Sequence, residues 1–118
     1  MERVEAVVID ASVAVKWFNV EEYSHLAQKI RDRRIRGKIT LVAPVLVIFD
    51  VVNALRYNPD YGARDVRDAV NDLLDLQLTL RFPEKVWLHQ AVEVSSAHGV
   101  SIYDACYLAL SKYLEVPI

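Results

Sequence analysis

Short apolar runs alternate with longer stretches of helical spacing along this chain. The run from Val4 to Ile9 is short and apolar, which is typical of a strand buried on both faces of a parallel sheet. A second strand is predicted from Ile39 through Val42, and a third from Leu78 to Phe82. Each strand is followed by residues that repeat at intervals of three and four.

Those intervals predict helices between the strands. Glycine or proline marks the helix boundaries, because glycine readily ends a helix and proline is tolerated in its first turn. The alternation of strands with helices predicts an α/β fold, in which helices cover both faces of a central parallel sheet. The predicted helices span 11–18, 23–34 with a stop at Gly37, Ala43-Pro44 to Tyr57, 63–77, Pro83 to His98-Gly99, and Ile102 to Leu114 capped by Ser101.

Composition narrows the class of protein. The chain has 118 residues, of which 53% are hydrophobic, enough for one domain with a real core. The net charge of −2 gives no general attraction for nucleic acid, so any such contact must be local. A single cysteine, Cys106, excludes an internal disulfide. No secretory signal or membrane-length apolar run is seen, and we expect a soluble cytoplasmic protein with no membrane contact.

Three aspartates interrupt segments that would otherwise be apolar. Asp10 closes the first strand, Asp50 lies mid-helix between Phe49 and Val51, and Asp104 precedes the apolar stretch from Ala105. A carboxylate in apolar surroundings is costly unless it is paired, hydrogen-bonded or bound to a cation. A shared divalent-metal site would explain all three. The first acid supports this, because ligands in open α/β sheets bind beyond the carboxyl ends of strands.

Each acid also has a purely structural interpretation. Asp10 would suit the N-cap of the helix that follows it. Asp50 and its i+3 neighbour Asn53 could face solvent on a mostly buried helix. Asp104 completes a Ser/Thr-x-x-acid helix start with Ser101. Ser12 could hydrogen-bond Asp10 and orient it, or act as a cap itself.

Three segments together resemble the successive signatures of the PIN-domain family, and in particular its VapC-type toxins. They are Val8 to Phe18, containing Ile9-Asp10-Ala11-Ser12, then Ala43-Pro44 through Asp50-Val51-Val52-Asn53-Ala54-Leu55, then Ser101 to Leu110, containing Tyr103-Asp104-Ala105. The resemblance covers essentially the entire chain. It implies a PIN-like three-layer α/β/α fold with a central parallel sheet.

The resemblance also implies a function. It predicts the toxin of a type II toxin–antitoxin system: a homodimeric endoribonuclease that cleaves RNA phosphodiester bonds and is neutralised by a cognate antitoxin protein. Asp10, Asp50 and Asp104 stand where the family holds Mg²⁺ or Mn²⁺. An oxygen-only ligand set favours such hard ions over zinc. We expect Ser12 and Asn53 to orient these ligands by hydrogen bonding to them, without binding the metal themselves.

The sequence departs from the family pattern in two places. Asp50 stands where the family usually has glutamate, so its carboxylate is one methylene shorter. The family continues, after a segment like Val116-Pro117-Ile118, into a strand with a Thr-x-Asp motif that carries a fourth acid. We therefore interpret residues 1–118 as a single PIN-like domain lacking that strand. A catalytically impaired interaction module on the PIN scaffold remains an alternative function.

A cluster of cations provides a candidate RNA contact. Six of the fourteen lysines and arginines fall within ten residues, with only Asp32 opposing them. They could form a phosphate-binding strip, or a solvated helix end whose cations favour the negative end of the helix dipole. We expect the tryptophans and tyrosines to fill the core or a dimer interface, with Tyr103 and Tyr107, one turn apart, as candidates for contact with a partner subunit. The six cations are Lys29, Arg31, Arg33, Arg34, Arg36 and Lys38.

Overall fold

A computed structural model describes residues 5–118. Within this range the sheet has three parallel strands, β1 (Glu5–Val8), β2 (Ile39–Pro44) and β3 (Thr79–Arg81), in the order β1-β2-β3. Val8 pairs with Val42, and Val42 pairs with Thr79. All three strands were predicted, although Val4, where the first strand was expected to begin, lies outside the described residues.

The helices follow the strands in the predicted order. They are α1 (Ala11–Val15), α2 (Ser24–Ile35), α3 (Leu46–Arg56), α4 (Ala63–Asp75), α5 (Lys85–His98) and α6 (Ile102–Leu114). Gly99 ends α5 at φ +67°, a left-handed conformation that favours glycine. None of the helices in the described part of the chain is long and apolar enough to cross a membrane.

The predicted helix start at Ala43-Pro44 was wrong. Pro44 is the last residue of β2, pairing with Arg81, and α3 begins at Leu46. The fixed φ of proline suits the end of a strand as well as a first helical turn, and a missing N–H is tolerated in both places. The backbone hydrogen bond to β3 comes instead from the next residue, Val45, whose N–H donates to Arg81 O at 2.9 Å.

The core forms one buried cluster on each side of the sheet, as a three-layer α/β/α fold requires. Alternate residues of β2 serve the two sides, with Leu41 in the first cluster and Val42 in the second. Helices α1, α3 and α4 supply half of the buried residues of the first cluster, and α5 and α6 supply most of the second. Tyr107 is an exception within α6, because its side chain belongs to the first cluster.

Candidate functional site

The carboxyl ends of β1 and β2 position two of the three acids. Asp10 lies just past β1, where Ile9 N–H still donates to Val42 O at 2.9 Å. Asp50 lies in α3, which begins two residues after β2, and Asp104 lies in the first turn of α6. Parallel strands that end together bring the following segments to one edge of the sheet.

Asp10 has both of the local contacts considered from sequence. Its Oδ1 accepts the Ser12 Oγ–H bond at 2.6 Å and the Val13 N–H bond at 3.1 Å, and the second bond caps α1. Both bonds end on the same oxygen, and no other described residue donates to Oδ2, which could therefore bind a cation. Beside Asp10 lies a cavity of about 270 Å³, which Val13, Ile30 and Ile118 help to line.

Asp50 is half-buried rather than fully exposed, whereas Asn53 is exposed. The Asp50 Oδ2 accepts a hydrogen bond from the Tyr107 hydroxyl at 2.7 Å. Tyr107 is only 5% exposed. Its predicted role in contacting a partner subunit is therefore replaced by a contact inside the domain, between α6 and α3.

The charges of all three acids affect the pKa of Tyr107. Burial raises the pKa of its hydroxyl well above the usual range, and the hydrogen bond to Asp50 and the charges of Asp50, Asp10 and Asp104 raise that pKa further. All three carboxylates therefore lie within electrostatic range of one hydroxyl. The phenol stays protonated at neutral pH and acts as a hydrogen-bond donor.

Asp104 is exposed at the start of α6. Its N–H donates to Ser101 Oγ at 3.0 Å, which confirms Ser101 as the predicted cap. Among the described residues, the Asp104 carboxylate does not make the reciprocal bond to the Ser101 N–H that a full capping box requires. The side chain is therefore not held by the cap.

The donor chemistry fits a hydrated hard cation. Across residues 5–118, no three Asp, Glu, His or Cys side chains lie close enough together to form a ready-made metal cage. Mg²⁺ does not need one, because it keeps several waters and usually takes one or two carboxylates from the protein. Asp10 Oδ2 and Asp50 Oδ1 are the carboxylate oxygens that could bind such an ion.

A groove beside Asp50 contains a cation that sequence reasoning missed. It has a volume of about 520 Å³ and includes Phe49, which is 73% exposed, and Asn53. Arg56 also lines this groove, about two helical turns after Phe49 and therefore on the same face of α3. The Arg56 guanidinium lies 5.6 Å from the Tyr57 ring centroid.

The six clustered cations lie along α2 and the turn after it, leading away from the acids. Lys38 directly precedes β2, at the amino edge of the sheet, whereas Asp10 lies at the carboxyl edge. Arg34 Nη2 donates to Gln77 O at 3.2 Å, so part of the cluster has a structural role. The proposed RNA contact therefore stays a prediction, and its Lys38 end lies at the opposite edge of the sheet from Asp10.

Sequence reasoning also missed Tyr107 as a site residue. A signal was present, because Tyr107 follows Asp104 by three residues and so shares its face of α6. Cys106, between them, is a buried free thiol, and burial raises its pKa.

The chain belongs to the PIN domain family, whose model matches residues 7–118. Among solved structures, it is similar to VapC20 of Mycobacterium tuberculosis, a toxin described as cleaving the Sarcin-Ricin loop. The TM-score is 0.71 at 16% identity, covering 95% of this chain and 85% of that one. At this identity the likeness shows a shared fold. Comparison with curated proteins gave no match.

Proposed function

We propose that this protein is a metal-dependent endoribonuclease, the toxin component of a type II toxin–antitoxin system, that cleaves RNA phosphodiester bonds in the cytoplasm. The observation that carries the proposal is a PIN-family fold in which Asp10 lies just past β1 and the Asp50 carboxylate, in the helix after β2, accepts a 2.7 Å hydrogen bond from the buried Tyr107. Carboxylates that share a site repel each other, and a bound cation would offset that repulsion.

In the proposed site, Asp10, Asp50 and Asp104 hold Mg²⁺ or Mn²⁺. When bound, such an ion lowers the pKa of a coordinated water and neutralises charge on a phosphoryl oxygen. Ser12 fixes the Asp10 carboxylate through its 2.6 Å bond. Asn53, exposed one turn after Asp50, orients the metal ligands by hydrogen bonding, as residues next to metal ligands commonly do.

The proposed substrate and partners follow from the family and from the surface. VapC20 is described as cleaving the Sarcin-Ricin loop, and RNA is the substrate that we propose here. Arg56 beside Asp50 offers a phosphate contact within the groove. We also propose a cognate antitoxin and a homodimer, which would cover exposed apolar side chains such as Phe49 and Phe82.

A catalytically impaired interaction module is the second candidate. It is favoured by the absence of a ready-made three-ligand cage within residues 5–118. The shorter Asp50, standing where the family usually has glutamate, also favours it. The two functions differ in whether the protein binds a divalent cation at these acids.

Mn²⁺ is expected to stabilise the folded protein. A ligand that binds only the folded state, at one hundred times its dissociation constant, adds about 2.7 kcal/mol to the free energy of unfolding. The measurement is a thermal melt with increasing Mn²⁺, repeated with Asp10→Asn as the control that weakens the site. An identical midpoint with and without Mn²⁺ would favour the interaction module.

RNA affinity is expected to fall with salt concentration, and Arg36→Gln/Lys38→Gln should make the dependence shallower. Each phosphate contact to single-stranded RNA contributes about 0.7 to the logarithmic slope, so losing two contacts reduces it by roughly 1.4. Binding is measured in an Asp10→Asn background, which prevents cleavage. Arg64→Gln/Arg67→Gln on α4 is the matched control. If both double variants show the same salt dependence, the clustered cations do not bind RNA and instead stabilise the negative end of the α2 dipole.

A further inference from the structure

The hydroxyl of Tyr107 and the carboxylate of Asp50 form a contact between helices that are distant in sequence. The two residues are 57 positions apart, and the bond is 2.7 Å long. We propose that Tyr107 is a positioning residue that holds one oxygen of Asp50 and so presents the other oxygen to the cation. This inference rests on the proposed metal-dependent function.

The bond limits how Asp50 can bind a metal ion. A carboxylate has two oxygens and can bind through one or both. Because Oδ2 already accepts the Tyr107 hydrogen, and within residues 5–118 nothing donates to Oδ1, Oδ1 is the oxygen that would coordinate. Hydrogen bonds to ionised acceptors are short and strong, so this bond also restricts rotation of a side chain that is only half-buried. Asp50 would therefore act as a single-oxygen ligand of fixed direction.

The tyrosine itself is well fixed. Tyr107 is 5% exposed and belongs to the same buried cluster as Val47 and Val51, which flank Asp50 in α3. Interiors packed at crystal-like density leave a large ring little room to move. The position of the hydroxyl is therefore set by the core and not by the metal.

The neutrality of the donor is important for a metal site. A lysine or arginine could hold Asp50 equally well, but its positive charge would compete with the cation for the carboxylate. The phenol satisfies one oxygen and leaves the negative charge of the site in place. This distinguishes Tyr107 from a residue that only neutralises a buried acid.

The test is the affinity of the RNA-free protein for Mn²⁺, measured from the loss of the free-ion electron paramagnetic resonance signal. Tyr107→Phe removes the hydroxyl and keeps the ring. We expect Mn²⁺ to bind about 10-fold more weakly, the typical effect of removing a group that orients a ligand. Tyr103→Phe, on the same helix but 68% exposed, is the matched control and should bind as the unaltered protein does.

The same titration on Asp50→Asn and on the double variant shows whether Tyr107 acts through Asp50. We expect Tyr107→Phe to cause little further loss once Asp50 is replaced. Unchanged Mn²⁺ affinity in Tyr107→Phe would overturn the inference and leave the tyrosine a structural role, visible as a lower thermal midpoint without metal. An equal loss in both backgrounds would also overturn it. If the unaltered protein and Asp50→Asn bind Mn²⁺ equally, the proposed metal site itself fails.

Discussion

Replacing Asp10 with asparagine is expected to abolish metal-dependent RNA cleavage while leaving the fold intact. Asparagine keeps an oxygen that can accept the Ser12 and Val13 bonds, and it is as good an N-cap as aspartate. What it loses is the negative charge that a divalent cation needs. Loss of a residue that hydrogen-bonds a metal ligand typically lowers metal affinity or activity by about 10- to 100-fold. Loss of a ligand itself should therefore lower the cleavage rate by more than about 100-fold.

The measurement is the rate of RNA cleavage with and without Mg²⁺ or Mn²⁺, accompanied by a thermal melt of each protein. Asp75→Asn, at the exposed end of α4, is the control that removes the same charge elsewhere. Metal-dependent cleavage by Asp10→Asn at the unaltered rate would remove Asp10 from the mechanism. A large fall in the melting midpoint would mean that the cap, and not the site, had been damaged.

Leu55→Ala is expected to cause the largest loss of stability among single changes near the site. Leu55 is fully buried at the end of α3, the helix that carries Asp50. Truncating a buried leucine removes its apolar burial and leaves a cavity, at a cost of about 3 to 5 kcal/mol. Domains of this size are stable by only about 5 to 15 kcal/mol, so a substantial part of the total would be lost.

Urea unfolding measures this change through the midpoint and slope of the transition. Leu74→Ala, in α4 and 52% exposed, is the matched control and should cost about 1 kcal/mol or less. Similar losses for the two variants would show that α3 is not packed against the sheet as described.

The sequence predicted the fold well because most boundaries have a local cause. Ser101 caps α6 through its own hydroxyl, and Gly99 ends α5 in the left-handed conformation that its sequence position indicated. Pro44 was misplaced because its φ suits two structures, and pairing with Arg81 of β3, which is not a local property, decided between them.

The site was predicted less completely for a related reason. The acids are visible in sequence because each interrupts an apolar segment, and the contact of Ser12 with Asp10 spans only two residues. The spacing of Tyr107 from Asp104 puts both on one face of α6, but nothing in the sequence pairs Tyr107 with Asp50, 57 positions away. Its role depends on packing between helices, which periodicity does not reveal.

The cap at Asp10 has an evolutionary consequence. The codons for aspartate and asparagine differ by a single nucleotide, and asparagine can keep the bonds that start α1. If the proposed activity is harmful to the host cell, one point mutation at this codon would yield an inert protein that still folds and still reaches its partners. Such variants would be a readily selected escape from toxicity.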